Sequence, residues 1–103
     1  MMKKIEQNIK HMTDVAELNR IGQKYANSGN YIIAMKAWLR AAKLGDRQCR
    51  SSIVSIFLSK YWYVSNEEHK QVAKMIKQWC KEGDEQVKKT IDFQKELRAV
   101  MIQ

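Results

Sequence analysis

Leu18-Asn19-Arg20-Ile21-Gly22-Gln23-Lys24-Tyr25-Ala26-Asn27-Ser28-Gly29-Asn30-Tyr31-Ile32-Ile33-Ala34-Met35-Lys36-Ala37-Trp38-Leu39-Arg40-Ala41 decides the fold. Apolar residues recur at helical spacing on both sides of Gly29-Asn30, a pair that breaks a helix and turns the chain. Small Gly22 and Ala34 alternate with bulky Leu18, Tyr25 and Trp38. That alternation predicts two helices approaching closely, with the large side chains filling the space on either side of the small ones.

Outward from this stretch, Lys43-Leu44-Gly45-Asp46-Arg47-Gln48 recurs 38 residues later as Lys81-Glu82-Gly83-Asp84-Glu85-Gln86. Each copy ends an amphipathic run. Glycine just past a helix adopts the left-handed conformation that satisfies orphan carbonyls, and the following Asp accepts from the first amides of the next helix. Helix, stop, helix is therefore written twice. Asp14 with Glu17, and Ser65 with Glu68, have the spacing of capping boxes opening two further helices. The predicted elements are a short N-terminal helix carrying Ile5, Ile9 and Met12 on one stripe, then helices over 14–28, 31–44, 47–61 and 65–83. A terminal helix opened by Asp84 follows, bearing Val87, Ile91, Phe93 and Leu97. Short turns between them predict antiparallel packing of consecutive helices.

The composition agrees. The chain has 103 residues, no proline and 4 glycines, with 45% hydrophobic and 29% charged residues. This is enough apolar material for one small core, too little for an enzyme with separate cofactor and substrate lobes, and without the punctuation of a strand-rich fold. The net charge is +8, and from Leu18 to Asn66 eight basic residues stand against Asp46 alone, a net of +7. Such a field favours acidic protein, nucleic acid or anionic lipid as a partner, chiefly by raising encounter rates. No stretch reads as a signal peptide or membrane span. Cys49 and Cys80 lack the spacing of a disulfide scaffold or zinc knuckle and read as reduced thiols, which predicts a cytoplasmic protein.

Leu18, Ile21-Gly22, Tyr25, Gly29, Tyr31, Ala34, Trp38 and Ala41 resemble a tetratricopeptide repeat, in register, with Asp46 where that family commonly has proline. The second unit places Val72, Ile76 and Trp79 at the positions of Ala34, Trp38 and Ala41, and is 4 residues longer, the extra length falling around Trp62-Tyr63-Val64-Ser65. This longer turn and the Ala41-Ala42-Lys43-Leu44-Gly45-Asp46 ending are similar to the related Sel-one-like repeat. The resemblance implies an all-α fold, a short α-solenoid of antiparallel helix pairs with a terminal capping helix. One domain is divided into an N-terminal helix (1–12), repeat 1 (14–46), repeat 2 (47–84) and the capping helix (85–103).

The resemblance also implies a non-enzymatic scaffold, an adaptor or chaperone that binds a protein segment, with no cofactor. No residue pattern argues otherwise. His11 and His69 lack a metal-ligand constellation, Ser51, Ser52, Ser55 and Ser59 lack a nucleophile context, and no glycine-rich phosphate loop is present. By the family's geometry the first helix of each pair lines a concave surface. This places Asn19, Arg20, Gln23 and Asn27 there, followed by Arg50, Ile53, Val54, Phe57 and Tyr61, with Lys88, Ile91, Lys95 and Arg98 from the terminal helix. An apolar floor with a basic rim suits an acidic, amphipathic helix. Burial in the core is the competing reading for Val54 and Phe57. Trp62 and Tyr63, adjacent at a helix end, read as an interface anchor for a foreign partner, a neighbouring repeat or a second copy of the chain. Asn19 and Gln23 stand where the Lys and Asn of a carboxylate clamp are expected, which argues against capture of a free C-terminus.

Two alternatives remain beside this reading. Lys36, Arg40, Lys43 and Arg47 follow i, i+4, i+7, i+11 and form a basic line suited to nucleic acid or another anion. A chain this short and charged also suits a stand-alone inhibitor of a larger complex.

Overall fold

The computed structural model describes residues 2–58, 62 and 65–102, and the side chains of 4–58, 62 and 65–96. The described residues form six helices: α1 (Met2–His11), α2 (Val15–Asn27), α3 (Tyr31–Lys43), α4 (Arg50–Phe57), α5 (Asn66–Lys81) and α6 (Glu85–Ile102). Among the described residues there is no strand, and the protein is all-α.

Local chemistry sets the boundaries. Asp14 Oδ1 accepts from the Glu17 amide at 3.2 Å, Ser65 Oγ from Glu68 at 3.3 Å, and Asn30 Oδ1 from Ile33 at 3.3 Å. Each satisfies an amide that the first turn of a helix leaves without a partner. Three helices end alike. Gly29, Gly45 and Gly83 have φ of 83°, 103° and 84°, the left-handed region that glycine enters without a Cβ penalty. At each stop two amides turn back onto the helix: Gly29 to Ala26 and Asn30 to Tyr25, Gly45 to Ala42 and Asp46 to Ala41, Gly83 to Cys80 and Asp84 to Trp79. This is the pair of hydrogen bonds of a Schellman motif, so the repeated Gly-Asp marks a repeated backbone geometry.

The most extensive contact is between α2 and α3, joined by the three-residue turn at Gly29. Its closeness comes from Gly22, where an added Cβ would lie 2.4 Å from Nε1 of Trp38. Leu18, Ile33 and Ala34 beside it are fully buried. The positions expected to match across the two units, Ala34, Trp38 and Ala41 in one and Val72, Ile76 and Trp79 in the other, are all buried. At about 1.5–3 kcal/mol for each large apolar side chain removed from water, this shared core is the main stabilising term.

Two features depart from expectation. The fourth helix begins at Arg50 rather than at residue 47: the Arg50 amide donates to the Arg47 carbonyl at 3.2 Å, closing a turn ahead of the helix in which the Cys49 amide donates to Asp46 Oδ2 at 3.2 Å. In addition, α4 packs more broadly on α6 than on its chain neighbour α5. The expected α4–α5 hairpin is correspondingly slight. The α1 helix lies against α3, with Ile9 buried and Ile5 and Met12 half-buried on its apolar stripe.

Cys49 is buried, with its thiol 3.4 Å from the Trp38 carbonyl oxygen. Burial, then the Asp46 carboxylate, pushes this thiol up to about 12. Because the thiolate is the reactive form, a thiol reagent at pH 8 should modify half-buried Cys80 in the native protein and leave Cys49 untouched until the chain unfolds. Equal labelling of the two, followed by peptide mapping, would contradict this placement.

Candidate functional site

A concavity lies between α1 and α3, away from the expected α2, α4 and α6 surface. Lys36, Leu39, Arg40 and Lys43 follow the i, i+3, i+4, i+7 spacing that brings side chains to one face of α3. They meet Glu6, Ile9 and Lys10 of α1 around a cleft of about 240 Å³. Leu39, half-buried, supplies its accessible apolar surface, with Ile9 buried beneath it. Lys36 Nζ is 3.6 Å from Glu6 Oε2, and Arg40 Nε donates to the Met12 carbonyl at 3.0 Å. Those contacts fix two of the four cations, while Lys10 and Lys43 are exposed. With Glu6 as the single acid, the lining carries four positive charges against one negative. A second hollow of about 170 Å³ continues across Lys36 and Leu39 toward Trp62 and Val72, so the α3 face is grooved on both sides of one ridge.

The residues expected to line a concave groove are dispersed. Arg20 forms a two-pronged pair with Glu17 of its own helix, Gln23 donates to Asn27 at 2.9 Å, and Asn19 donates to Asp46 at 3.1 Å. Val54 is a correction: with 1% of its surface exposed on the side of α4 that packs in the core, it cannot form a groove floor. Ile53, fully buried, is corrected with it. Arg50 also turns inward. Its Nη1 lies 3.1 Å from Asp84 and 3.2 Å from Glu82, and its guanidinium sits 4.9 Å from the centre of the Trp79 ring.

Trp62 is corrected likewise. Rather than standing out as an anchor, it is 2% exposed, donates from Nε1 to the Phe57 carbonyl at 3.2 Å, and lies beside the Phe57 and His69 rings. Phe57 is half-buried and stacks on His69 at 4.6 Å. Tyr61 and Tyr63 lie outside the described residues, as does the Arg98 side chain. Lys88 is near Glu85, 3.9 Å away, and Lys95 is exposed at the edge of a small hollow beside Leu58 and Ile91.

The basic line fares differently. Lys36, Arg40 and Lys43 come together in the cleft, but Arg47 leaves them, because Gly45 ends α3 and the chain carries Arg47 to within 3.9 Å of Asp84. The same i, i+4, i+7, i+11 spacing occurs a second time, unnoticed in the sequence, as Lys70, Lys74, Lys77 and Lys81 on α5. All four are exposed. The spacing itself was the signal that could have found them.

Among the described residues no three His, Cys, Asp or Glu side chains converge to hold a metal ion, and no helix is long and apolar enough to cross a membrane. Compared with known proteins, the chain matches no family model, no curated sequence and no solved structure.

Proposed function

We propose that this protein is a non-enzymatic binding module whose α1–α3 cleft receives an acidic, amphipathic helical segment of a partner protein. The observation that carries the reading is the juxtaposition of half-buried Leu39 with Lys10, Lys36, Arg40 and Lys43 around one cleft. An amphipathic helix laid there would desolvate its apolar stripe on Leu39 and the aliphatic stems of the flanking lysines while its carboxylates face the four cations. Exposed ion pairs contribute only about 0.2–1 kcal/mol each, so the apolar contact supplies most of the affinity and the cations supply orientation and encounter rate. Adaptor, chaperone and inhibitor share this physical act, the occupation of a partner's acidic segment. The close Gly22–Trp38 contact and the repeated Gly-Asp stops support a helical-repeat scaffold of the tetratricopeptide or Sel-one-like type. Two cysteines without a disulfide suit a reducing cytoplasm.

The test is fluorescence anisotropy with a labelled helical peptide carrying leucines on one face and glutamates on the other. Lys10→Glu with Lys43→Glu alters two exposed side chains and should weaken binding at least tenfold, mainly through a slower association that salt mimics. Leu39→Ala should weaken it through faster dissociation. If the charge-reversed variant binds as the parent does, the cleft is not the site.

A further inference from the structure

The lysines of α5 form a surface of a different kind from the α1–α3 cleft. Residues at i, i+4, i+7 and i+11 fall within a narrow sector of a helix. In α5 that sector faces away from Val72, Ile76 and Trp79, the residues it buries. Lys70, Lys74, Lys77 and Lys81 therefore stand in a line on the solvent side, spanning about 16 Å at a helical rise of about 1.5 Å per residue. None of the four forms an ion pair with another described residue, in contrast to Lys36 and Arg40, which the contacts with α1 occupy. Gln71 and Gln78 lie along one side of the line, Glu67 beside its N-terminal end, and all the exposed residues of α5 are polar.

That composition selects the partner. With no apolar side chain on this face, an amphipathic protein helix would gain little by docking there. With no exposed aromatic side chain on α5, unstacked single-stranded bases would find no platform. A straight row of ammonium groups suits a regular row of phosphates. At about 3.4 Å of duplex axis per phosphate of each strand, the span of the line passes four or five phosphate levels of the duplex.

We infer that the solvent face of α5 is a docking rail for the phosphate backbone of a nucleic-acid duplex, bound without regard to base sequence. Association is driven by release of the counterions condensed on the duplex, and the preformed helix sets the four lysines in a line with no backbone left to order. DNA and RNA duplexes offer the same backbone chemistry, and the experiment separates them. The inference stands apart from the α1–α3 cleft and does not depend on it.

Anisotropy of labelled 20-base-pair DNA and RNA duplexes, titrated with the full chain from about 50 to 200 mM salt, should give a log–log slope of about −3 to −4 for at least one of them, equivalent to a loss of roughly a hundredfold. Replacing Lys70, Lys74, Lys77 and Lys81 together by Gln should remove most of that affinity and nearly flatten the slope. A control of equal charge, Lys4, Lys24, Lys88 and Lys89 replaced by Gln, should retain the slope. Helical circular dichroism and unfolding midpoint identify any variant that has not folded, and the single substitutions Lys74→Gln and Lys77→Gln, each expected to reduce the slope by about one, keep the test decisive. Absence of a shift for both duplexes at low salt would overturn the inference. So would equal weakening by the two quadruple variants, which would mean that net charge alone is responsible. Binding of an acidic peptide along this face with no duplex binding would overturn it as well.

Discussion

Replacing Gly22 with valine is expected to lower the unfolding free energy by about 3 kcal/mol, a large share of the roughly 5–15 kcal/mol that holds a domain together. The cause is steric. A Cβ at this position would fall 2.4 Å from Nε1, 2.6 Å from Cε2 and 2.7 Å from Cδ1 of Trp38. These atoms belong to a rigid indole that is only 5% exposed, so the ring has no free path away from the added carbon. Gly22→Ala tests the same contact with an opposing term. Alanine is favoured over glycine in a helix by about 1 kcal/mol, so its net cost should be smaller, about 1 kcal/mol. Shortening the ring with Trp38→Phe removes the pyrrole that meets the new carbon. The double variant Gly22→Ala with Trp38→Phe should therefore lose less than the sum of the two single changes, a coupling that a double-mutant cycle in urea measures directly. If Gly22→Val leaves the unfolding midpoint where it was, α2 and α3 are not in the close contact described.

That contact was legible before any coordinates, and the reason is local. Small and large side chains that alternate at helical spacing within two adjacent helices constrain each other through a turn of three residues, so the sequence pattern and the packing are almost the same information. The glycine stops were legible for a similar reason. A left-handed residue followed by a capping aspartate is complete within six positions, and Gly45-Asp46 and Gly83-Asp84 needed no tertiary partner to be recognised.

What could not be read is where faces point when periodicity permits two answers. Val54 and Arg50 occupy a helix whose amphipathic pattern is equally satisfied by a groove floor or by a core against α6. The choice depends on which distant helix arrives, and no local spacing encodes it. The same holds for α1, a short amphipathic segment whose stripe identified the buried side, Ile9, but not the helix it would meet. Its docking on α3 turned Lys36 and Arg40 from a line on a surface into the wall of a cleft. Charge pairing over 34 residues, as in Arg50 with Asp84, has no period at all.

Asp84→Ala should cost about 3 kcal/mol, from losing both the cap of α6 and the better-buried carboxylate partner of Arg50. Asp84 has two tasks. Its Oδ1 accepts from the Val87 amide at 3.2 Å, capping α6, while its Oδ2 meets Arg50 at 3.1 Å. The side chains of Arg50 and Asp84 are only 15% and 10% exposed, and Arg50 Nε is already buried without an acceptor, so without the carboxylate the guanidinium keeps only the more exposed Glu82 and the Trp79 ring. Asp84→Asn separates the tasks, since an amide oxygen still caps but carries no charge. Asp46 is the internal control. It follows the equivalent glycine stop and accepts from the Cys49 amide in the turn before α4, but its side-chain partner is the neutral Asn19. Asp46→Asn should therefore cost less than Asp84→Asn by about 1–3 kcal/mol, the worth of a hydrogen bond to a charged group. The acid limb gives a second reading. Burial alone would raise the Asp84 carboxyl, but the Val87 amide and the Arg50 and Arg47 guanidiniums outweigh it and hold the group below the ordinary carboxylate range. A carboxyl lowered on folding contributes stability that is fully present above its unfolded value, about 3.9, and is lost as pH falls through the lower folded value. The melting temperature of the parent should accordingly hold above about pH 5 and fall steeply below pH 4. Asp84→Asn should start lower and show a shallower acid limb, because one of the protons that drives unfolding no longer has a site. Parallel acid limbs in parent and variant would show that Asp84 is not held in the charged state by Arg50, and would remove the electrostatic tie between α4 and the start of α6.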